Sequence, residues 1–325
     1  MASAGLQLVL DAEIFGGLEV DMVRLRRVRE ELLSVPGAAS TERAYAADWL
    51  DFTGFLRRTG RTLPASAEVL ELYLADLAEN GRSLWTLRRR ITGIRSAHRR
   101  LGLIPPAAEG ARKMIHELAR RGQGTARPKR AVTLDELGRM VRGCDDSDVG
   151  LRDRALLLVG FASGLRRSEL VALDVEDVRF DRRGIELRIR RSKTDQEGQG
   201  RVVAVFQGKR PATCPVRALR LWMRRCCGVT GALWIGFRGP ECRPAGRLSA
   251  QGVREIVRKR ASGVGICCDE LGAHSLRAGC VTAAIEGGAS LPAVMERTGH
   301  RSVGMLARYY RPASAWSADP LAGVL

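Results

Sequence analysis

Aromatic side chains are scarce in this chain: Phe, Trp and Tyr make up 5% of its 325 residues, with four tyrosines and four histidines in all. Negative charge is also short, since 54 Lys and Arg stand against 36 Asp and Glu, a formal +18 with a pI near 10.6. A balance this basic makes a polyanion the expected partner. No uncharged apolar run approaches the roughly 18 residues of a membrane span, and no amphipathic basic segment stands apart from the folded chain, so a membrane partner is not expected. The apolar start is broken by Asp11 and Glu13 and no basic segment precedes it, so no secretory signal is expected. The eight cysteines, among them the vicinal pairs Cys226–Cys227 and Cys267–Cys268, are therefore read as reduced, small buried side chains of a cytoplasmic protein. Their spacings match no zinc motif. There is neither a Gly-rich phosphate cradle nor an acidic metal cluster, so no cofactor and no metal are expected.

The scarce residues are not spread evenly. Residues 273–312, AHSLRAGCVTAAIEGGASLPAVMERTGHRSVGMLARYYRP, hold two of the histidines and two of the tyrosines. His274 and Arg277 lie three apart, about one helical turn, so both can point at one spot. A Thr-Gly-His corner at Thr298–His300 separates two helical runs, the second ending in Tyr309 and Tyr310. Core filling has no need of such a set; gripping a phosphate and attacking it with a phenol does.

At this length two domains are expected. Residues 1–39 form an N-terminal extension with a helix over 18–33. Residues 40–121 predict a small all-α domain of four helices. The first, over 40–60, is capped by Ser40 or Thr41 and carries Tyr45, Trp49, Phe52 and Leu56. The second covers 66–80, with Val69, Leu72, Tyr73 and Leu77 facing inward. The third covers 83–101, and the fourth follows Pro105–Pro106 to about 121. The third helix aligns Leu84, Leu87, Ile91, Ile94 and Leu101 in an apolar stripe, with His98 packing near it. Arg88, Thr92, Arg95 and Arg99 fall on an adjacent face, which fits a DNA groove or, from these residues alone, a solvated surface. Residues 122–131 read as a linker whose Arg127, Lys129 and Arg130 suit a duplex backbone or plain solvation.

Order restarts at Thr133, an N-cap with Glu136 at the capping-box position. A strongly apolar helix over 152–163 stops at Gly164, and a further helix opens over 165–170, placing Arg166 at the break. There it can reach into a cleft or cap the helix before it. Residues 185–189 and 202–205 alternate as the strands of a hairpin with Lys193 near its tip. Helices follow over 215–226 and 250–261.

Gly-Leu-Arg-x-Ser-Glu at 164–169, His-x-x-Arg at 274–277, Gly-His at 299–300 and a tyrosine nine residues later resemble the tyrosine recombinase, or phage integrase, family in order and spacing. The resemblance covers a catalytic domain over 132–312, and less specifically a core-binding (SAM-like) domain over 40–121. It implies a mainly α fold with a small β-hairpin or sheet, joining a four-helix domain to a mixed α+β catalytic domain.

The resemblance also implies chemistry. Arg166 and Arg277 match the pair that clamps the scissile phosphate, where guanidinium groups can stabilise charge building on the phosphorane-like transition state. Tyr309 matches the nucleophile, His274 the position assisting its proton transfer, and Lys193 the general acid on the leaving 5′-hydroxyl. His300 matches the residue that hydrogen-bonds the phosphate, and Glu169 an acidic support that is otherwise a plain surface glutamate. Tyr310 is the competing nucleophile, but one residue turns a helix by about 100°, so both hydroxyls cannot face one phosphate. A tyrosyl ester conserves the phosphodiester energy, so neither ATP nor metal is required. The implied activity is site-specific recombination of double-stranded DNA through a Holliday junction, serving integration, excision or resolution. It would be carried out by a homotetramer on two duplexes (a dimer on one), with room for a partner recombinase or accessory factor, in the cytoplasm at the nucleoid. Residues 313–325 would dock on a neighbouring protomer, and the short segment before Ser40 favours a recombinase acting on a short core site. The competing readings are type IB topoisomerase-like relaxation and a catalytically silent DNA-binding protein.

Overall fold

A computed structural model describes residues 39–124, 129–190, 192, 200–226, 228, 230–239 and 241–307. The helix expected over 18–33 lies outside them. The chain divides into two compact units, Met1–Arg127 and Pro128–Leu325, each with its own apolar core. No helix of the described residues is long and apolar enough to cross a membrane.

The first unit consists of α1 (Ala39–Thr59), α2 (Ala67–Glu79), α3 (Leu84–Arg100) and α4 (Glu109–Arg120). Ser66 and Ser83 cap α2 and α3, each accepting the backbone N–H three residues on. Ser40 and Thr41 do not cap α1; both lie inside it. Phe52, Leu56, Leu70, Tyr73, Leu74, Leu87, Ile91 and Ile94 fill the core. Two inward assignments need correction. Leu72 and Leu101 are 46% and 56% exposed, because Leu70 and Leu74 take the inward face of α2 and α3 ends before Leu101. His98 is fully buried: its Nδ1 meets the Ile94 carbonyl at 2.8 Å and its Nε2 accepts the Ala65 N–H at 3.2 Å. Both ring nitrogens are thus used in packing.

The second unit opens with α5 (Leu134–Arg142), where Thr133 and Glu136 form the expected capping box. The apolar α6 (Asp148–Ser163) begins four residues earlier than expected, because Ser147 caps it by accepting the Gly150 N–H. Ala155 to Val159 are all buried, since α5, α8 (Pro215–Cys226) and α10 (Ala273–Glu286) surround this helix. After α7 (Arg167–Ala172), strands β1 (Val178–Phe180), β2 (Gly184–Ile189) and β3 (Arg201–Phe206) form an antiparallel sheet in that order. Register pairs Ile185 with Val205, Leu187 with Val203 and Ile189 with Arg201. The strand β1 and the small sheet β4 (Ile235–Arg238) and β5 (Arg243–Arg247) carry no clear alternation and were not expected. Helices α9 (Ala250–Ser262), α10, α11 (Leu291–Thr298) and α12 (Val303–Ala307) complete the described chain. The small-buried reading of cysteine holds for Cys144, Cys214 and Cys280, but Cys242 and Cys267 are exposed.

Candidate active site

Two glycine turns build the pocket. Helix α6 ends at Gly164, whose φ of 62° favours a residue without Cβ. A Cβ there would also come within 2.9 Å of Thr298 Cγ2 and 3.0 Å of Cys280 Sγ. The turn after α6 therefore sits directly against α10 and the end of α11. That second helix ends at Gly299, φ 67°, with the N–H groups of Gly299 and His300 both closing on the Met295 carbonyl.

Between the turns lie the residues the motifs singled out. Arg166 is the N-cap residue of α7, and its guanidinium donates to Glu169 Oε1 at 2.7 Å, Ser192 Oγ at 3.1 Å and the Gly299 carbonyl at 3.2 Å. It does not cap α6: that helix's terminal carbonyls at Ala162 and Gly164 are taken by Arg297 and Arg277. Arg277, on α10, is 1% exposed and donates to the Gly164 carbonyl at 2.6 Å and to His300 Nε2 at 2.9 Å. His274 shares the first turn of α10 but is exposed.

The bonds around His300 fix its protonation. Thr298 Oγ1 donates to the Val294 carbonyl at 2.6 Å, so its contact with His300 Nδ1, also 2.6 Å, must run from the ring N–H to the hydroxyl. Nε2 then carries the lone pair that accepts from Arg277. Burial lowers the pKa of this imidazole to about 4, helped by the charges of Arg277, Arg166 and Arg201. The ring is neutral at neutral pH.

Glu169 is 3% exposed, not a surface residue. Burial by itself would raise its pKa, but the backbone N–H and guanidinium of Arg166, with the charge of Arg201, outweigh that and hold it below the usual carboxylate range. Arg201 donates to Glu169 Oε2 at 3.2 Å and to the Arg297 carbonyl at 2.7 Å. Among the described residues, three guanidinium groups thus surround one carboxylate and a neutral imidazole. Such a cluster suits an anion with several acceptor oxygens.

Lys193, Arg127, Tyr309 and its competitor Tyr310 lie outside the described residues. On α3, Arg88, Thr92 and Arg99 are exposed, while Arg95 is half-buried and donates to the Pro106 carbonyl. Lys129 donates to the Asp269 carbonyl, and Arg130 pairs with Glu136 and Glu270. Arg201 and Thr298 were not found as site residues in the sequence. The one signal for Arg201 was a charge at the start of a strand whose inward positions are otherwise valine.

The description "Phage integrase family" matches residues 130–315. The chain is 33% identical to an integrase/recombinase XerD homologue of Selenomonas ruminantium over 312 residues, 92% of this chain and 89% of the relative. It is 31% identical to the tyrosine recombinase XerC of Corynebacterium efficiens over 284 residues, 84% and 81% of the two chains. In fold it is similar to a lambda integrase dimer bound to a COC′ core site (TM-score 0.58, 16% identity, 94% and 85% covered). It is likewise similar to a lambda integrase tetramer bound to a Holliday junction (TM-score 0.59, 15% identity, 91% and 79% covered). With a family match over more than half its length and a curated relative spanning nearly all of it, the chain belongs to the phage integrase family, the tyrosine recombinases.

Proposed function

We propose that this recombinase acts on double-stranded DNA through a 3′-phosphotyrosyl intermediate, with Arg166, Arg277 and His300 receiving the scissile phosphate. The observation that carries this reading is the convergence of Arg166 on the Gly299 carbonyl and of Arg277 on the His300 ring. Guanidinium groups held by carbonyls and a carboxylate are already oriented, so little reorganisation accompanies the build-up of charge on the phosphate oxygens. Tyr309 Oη attacks phosphorus in line as the bond to O5′ breaks. His274 assists loss of the phenolic proton, and Lys193 returns a proton to the leaving 5′-hydroxyl. The phosphoester is exchanged rather than hydrolysed, so the reverse step rejoins the strand without ATP or metal.

Arg88, Thr92 and Arg99 on α3 would meet DNA, with Arg127 as a further contact, whereas Arg95, Lys129 and Arg130 are already held by Pro106, by Asp269, and by Glu136 and Glu270. A dimer on each duplex and a tetramer across two would bring four pockets together, with residues 313–325 docking between protomers. The lambda integrase dimer on a core site and the lambda integrase tetramer on a Holliday junction, both similar in fold, support that assembly by analogy. The proposed protein works in the cytoplasm at the nucleoid and admits a partner recombinase.

The test is a nicked suicide duplex carrying a site selected by the protein from random DNA, with EDTA present. Wild type is expected to form a covalent adduct, and Tyr309→Phe to bind equally but form at least about 1,000-fold less. Adduct that survives in Tyr309→Phe moves the nucleophile to Tyr310. Failure of wild type to react on a site it binds overturns the chemistry.

A further inference from the structure

Arg201 has no part in the chemistry proposed for Arg166, Arg277 and His300, yet it touches the carboxylate that holds Arg166 and the turn that presents His300. It is the first residue of β3. Side chains two apart on a strand share a face, so Arg201 lies on the side of β3 that sends Val203 and Val205 into the core. An apolar residue would satisfy that pattern at lower cost, because burial works against a guanidinium charge, and it does lower the pKa of Arg201. A charge placed against the local pattern calls for a reason beyond packing.

The contacts supply one. Nη2 of Arg201 meets Glu169 Oε2 at 3.2 Å, while the other oxygen of that carboxylate holds Arg166. Nη1 donates to the carbonyl of Arg297 at 2.7 Å, two residues before Gly299. The guanidinium also lies flat enough on Gly299 that a Cβ there would stand 3.3 Å from its Cζ. One side chain therefore ties the strand, the carboxylate under Arg166 and the turn that presents His300.

We propose that Arg201 is a positioning residue for cleavage, fixing the spacing between Arg166 and His300 by joining Glu169 to the Arg297–Gly299 turn. This rests on the assignment of Arg166, Arg277 and His300 as the phosphate pocket. Losing the tie would leave DNA affinity nearly intact, because Arg201 holds protein groups rather than DNA. It would slow the step that needs the two sides of the pocket in register. It would also remove a positive charge beside His300 and make that ring easier to protonate.

The experiment measures single-turnover cleavage of the same suicide duplex at saturating full-length protein, from pH 5 to 9, for wild type, Arg201→Met, Arg201→Lys and Arg190→Met. Arg190 pairs with Asp174 and Asp177 rather than with Glu169 or the Gly299 turn and serves as the control for losing an ion pair. Arg201→Met is expected to bind within about twofold of wild type and cleave about 100-fold more slowly, the scale of a misplaced reacting group. The limb of its pH profile set by His300 should move to higher pH. Arg201→Lys keeps the charge but cannot span both partners, so it should cleave about tenfold slower with that limb unmoved. Wild-type rates in either Arg201 variant, or slowing no greater than in Arg190→Met with an unshifted limb, overturn the proposal. Should Arg201→Met fail to fold, a wild-type rate in Arg201→Lys still overturns it. If wild type forms no adduct on the site it binds, the phosphotyrosyl reading falls and this inference with it; if it does and only the Arg201 results disagree, this inference falls alone.

Discussion

His300 is held neutral in the free enzyme by its own surroundings: a hydroxyl takes its Nδ1 proton and a guanidinium occupies its Nε2 lone pair. To donate to a phosphate, that ring must gain a proton or turn. A bound phosphate anion would offset the arginine charges that depress it, so its pKa should rise when DNA arrives. Nitrogen-15 spectra of the imidazole should show the Nδ1–H tautomer at pH 7, titrating near 4 without DNA and higher with it. The sign for stability follows from the same shift. The folded value of about 4 lies below the unfolded 6.5, so stabilisation is complete above pH 6.5 and is lost as pH falls through the folded value. His300→Gln should flatten the melting temperature over that interval. At this scale the convergence of Arg166, Arg277 and His300 was legible, because the motifs that hold them stand out by spacing; Lys193 and Tyr309 lie outside the described residues. Arg201 was not legible, being 32 residues from Glu169 and 96 from Arg297 in the sequence; only the tertiary fold brings the start of β3 to α7 and the end of α11.

Helix α3 divides its arginines between two jobs. Arg88 and Arg99 face out, while Arg89 and Arg90 turn inward to Asp48, at 2.5 and 2.9 Å, with Arg90 continuing to Asp51 and the Tyr73 hydroxyl. Asp48 is 1% exposed, and burial pushes its pKa up against the pull of Arg90 and Arg89. Removing the carboxylate would take the buried acid from Arg89 and leave Arg90 to Asp51 and Tyr73, so Asp48→Ala should cost the first unit about 3 kcal/mol in urea unfolding. Glu42→Ala, which breaks an exposed pair with Arg100, should cost no more than about 1 kcal/mol. Periodicity located this helix and its apolar stripe. It could not sort the arginines, because an inward arginine needs a buried acid on another helix, and Asp48 looks like any polar residue of α1 in the sequence.

For the whole molecule, a charge of +18 predicts binding that weakens steeply with salt, yet the basic residues are not equivalent. Arg130 spends its guanidinium on Glu136 and Glu270, while Arg88 is exposed. Arg88→Gln should lower the slope of log K against log salt by about 0.9, and Arg130→Gln should leave that slope nearly unchanged while lowering the melting temperature. A fluorescence titration at four salt concentrations checks both. Two separate cores, one all-helical and one built round α6, were legible from hydrophobic periodicity; the small sheet of β4 and β5 was not, because its strands are short and rich in Arg and Gly. Arg277 closes the end of α6 through the Gly164 carbonyl, so the side chain proposed to meet the phosphate also holds the end of the central helix. A lineage that gave up cutting DNA could discard its tyrosine freely but not this arginine. Descendants that only bind DNA should therefore still carry it, and its presence alone is no sign that a relative remains a working recombinase.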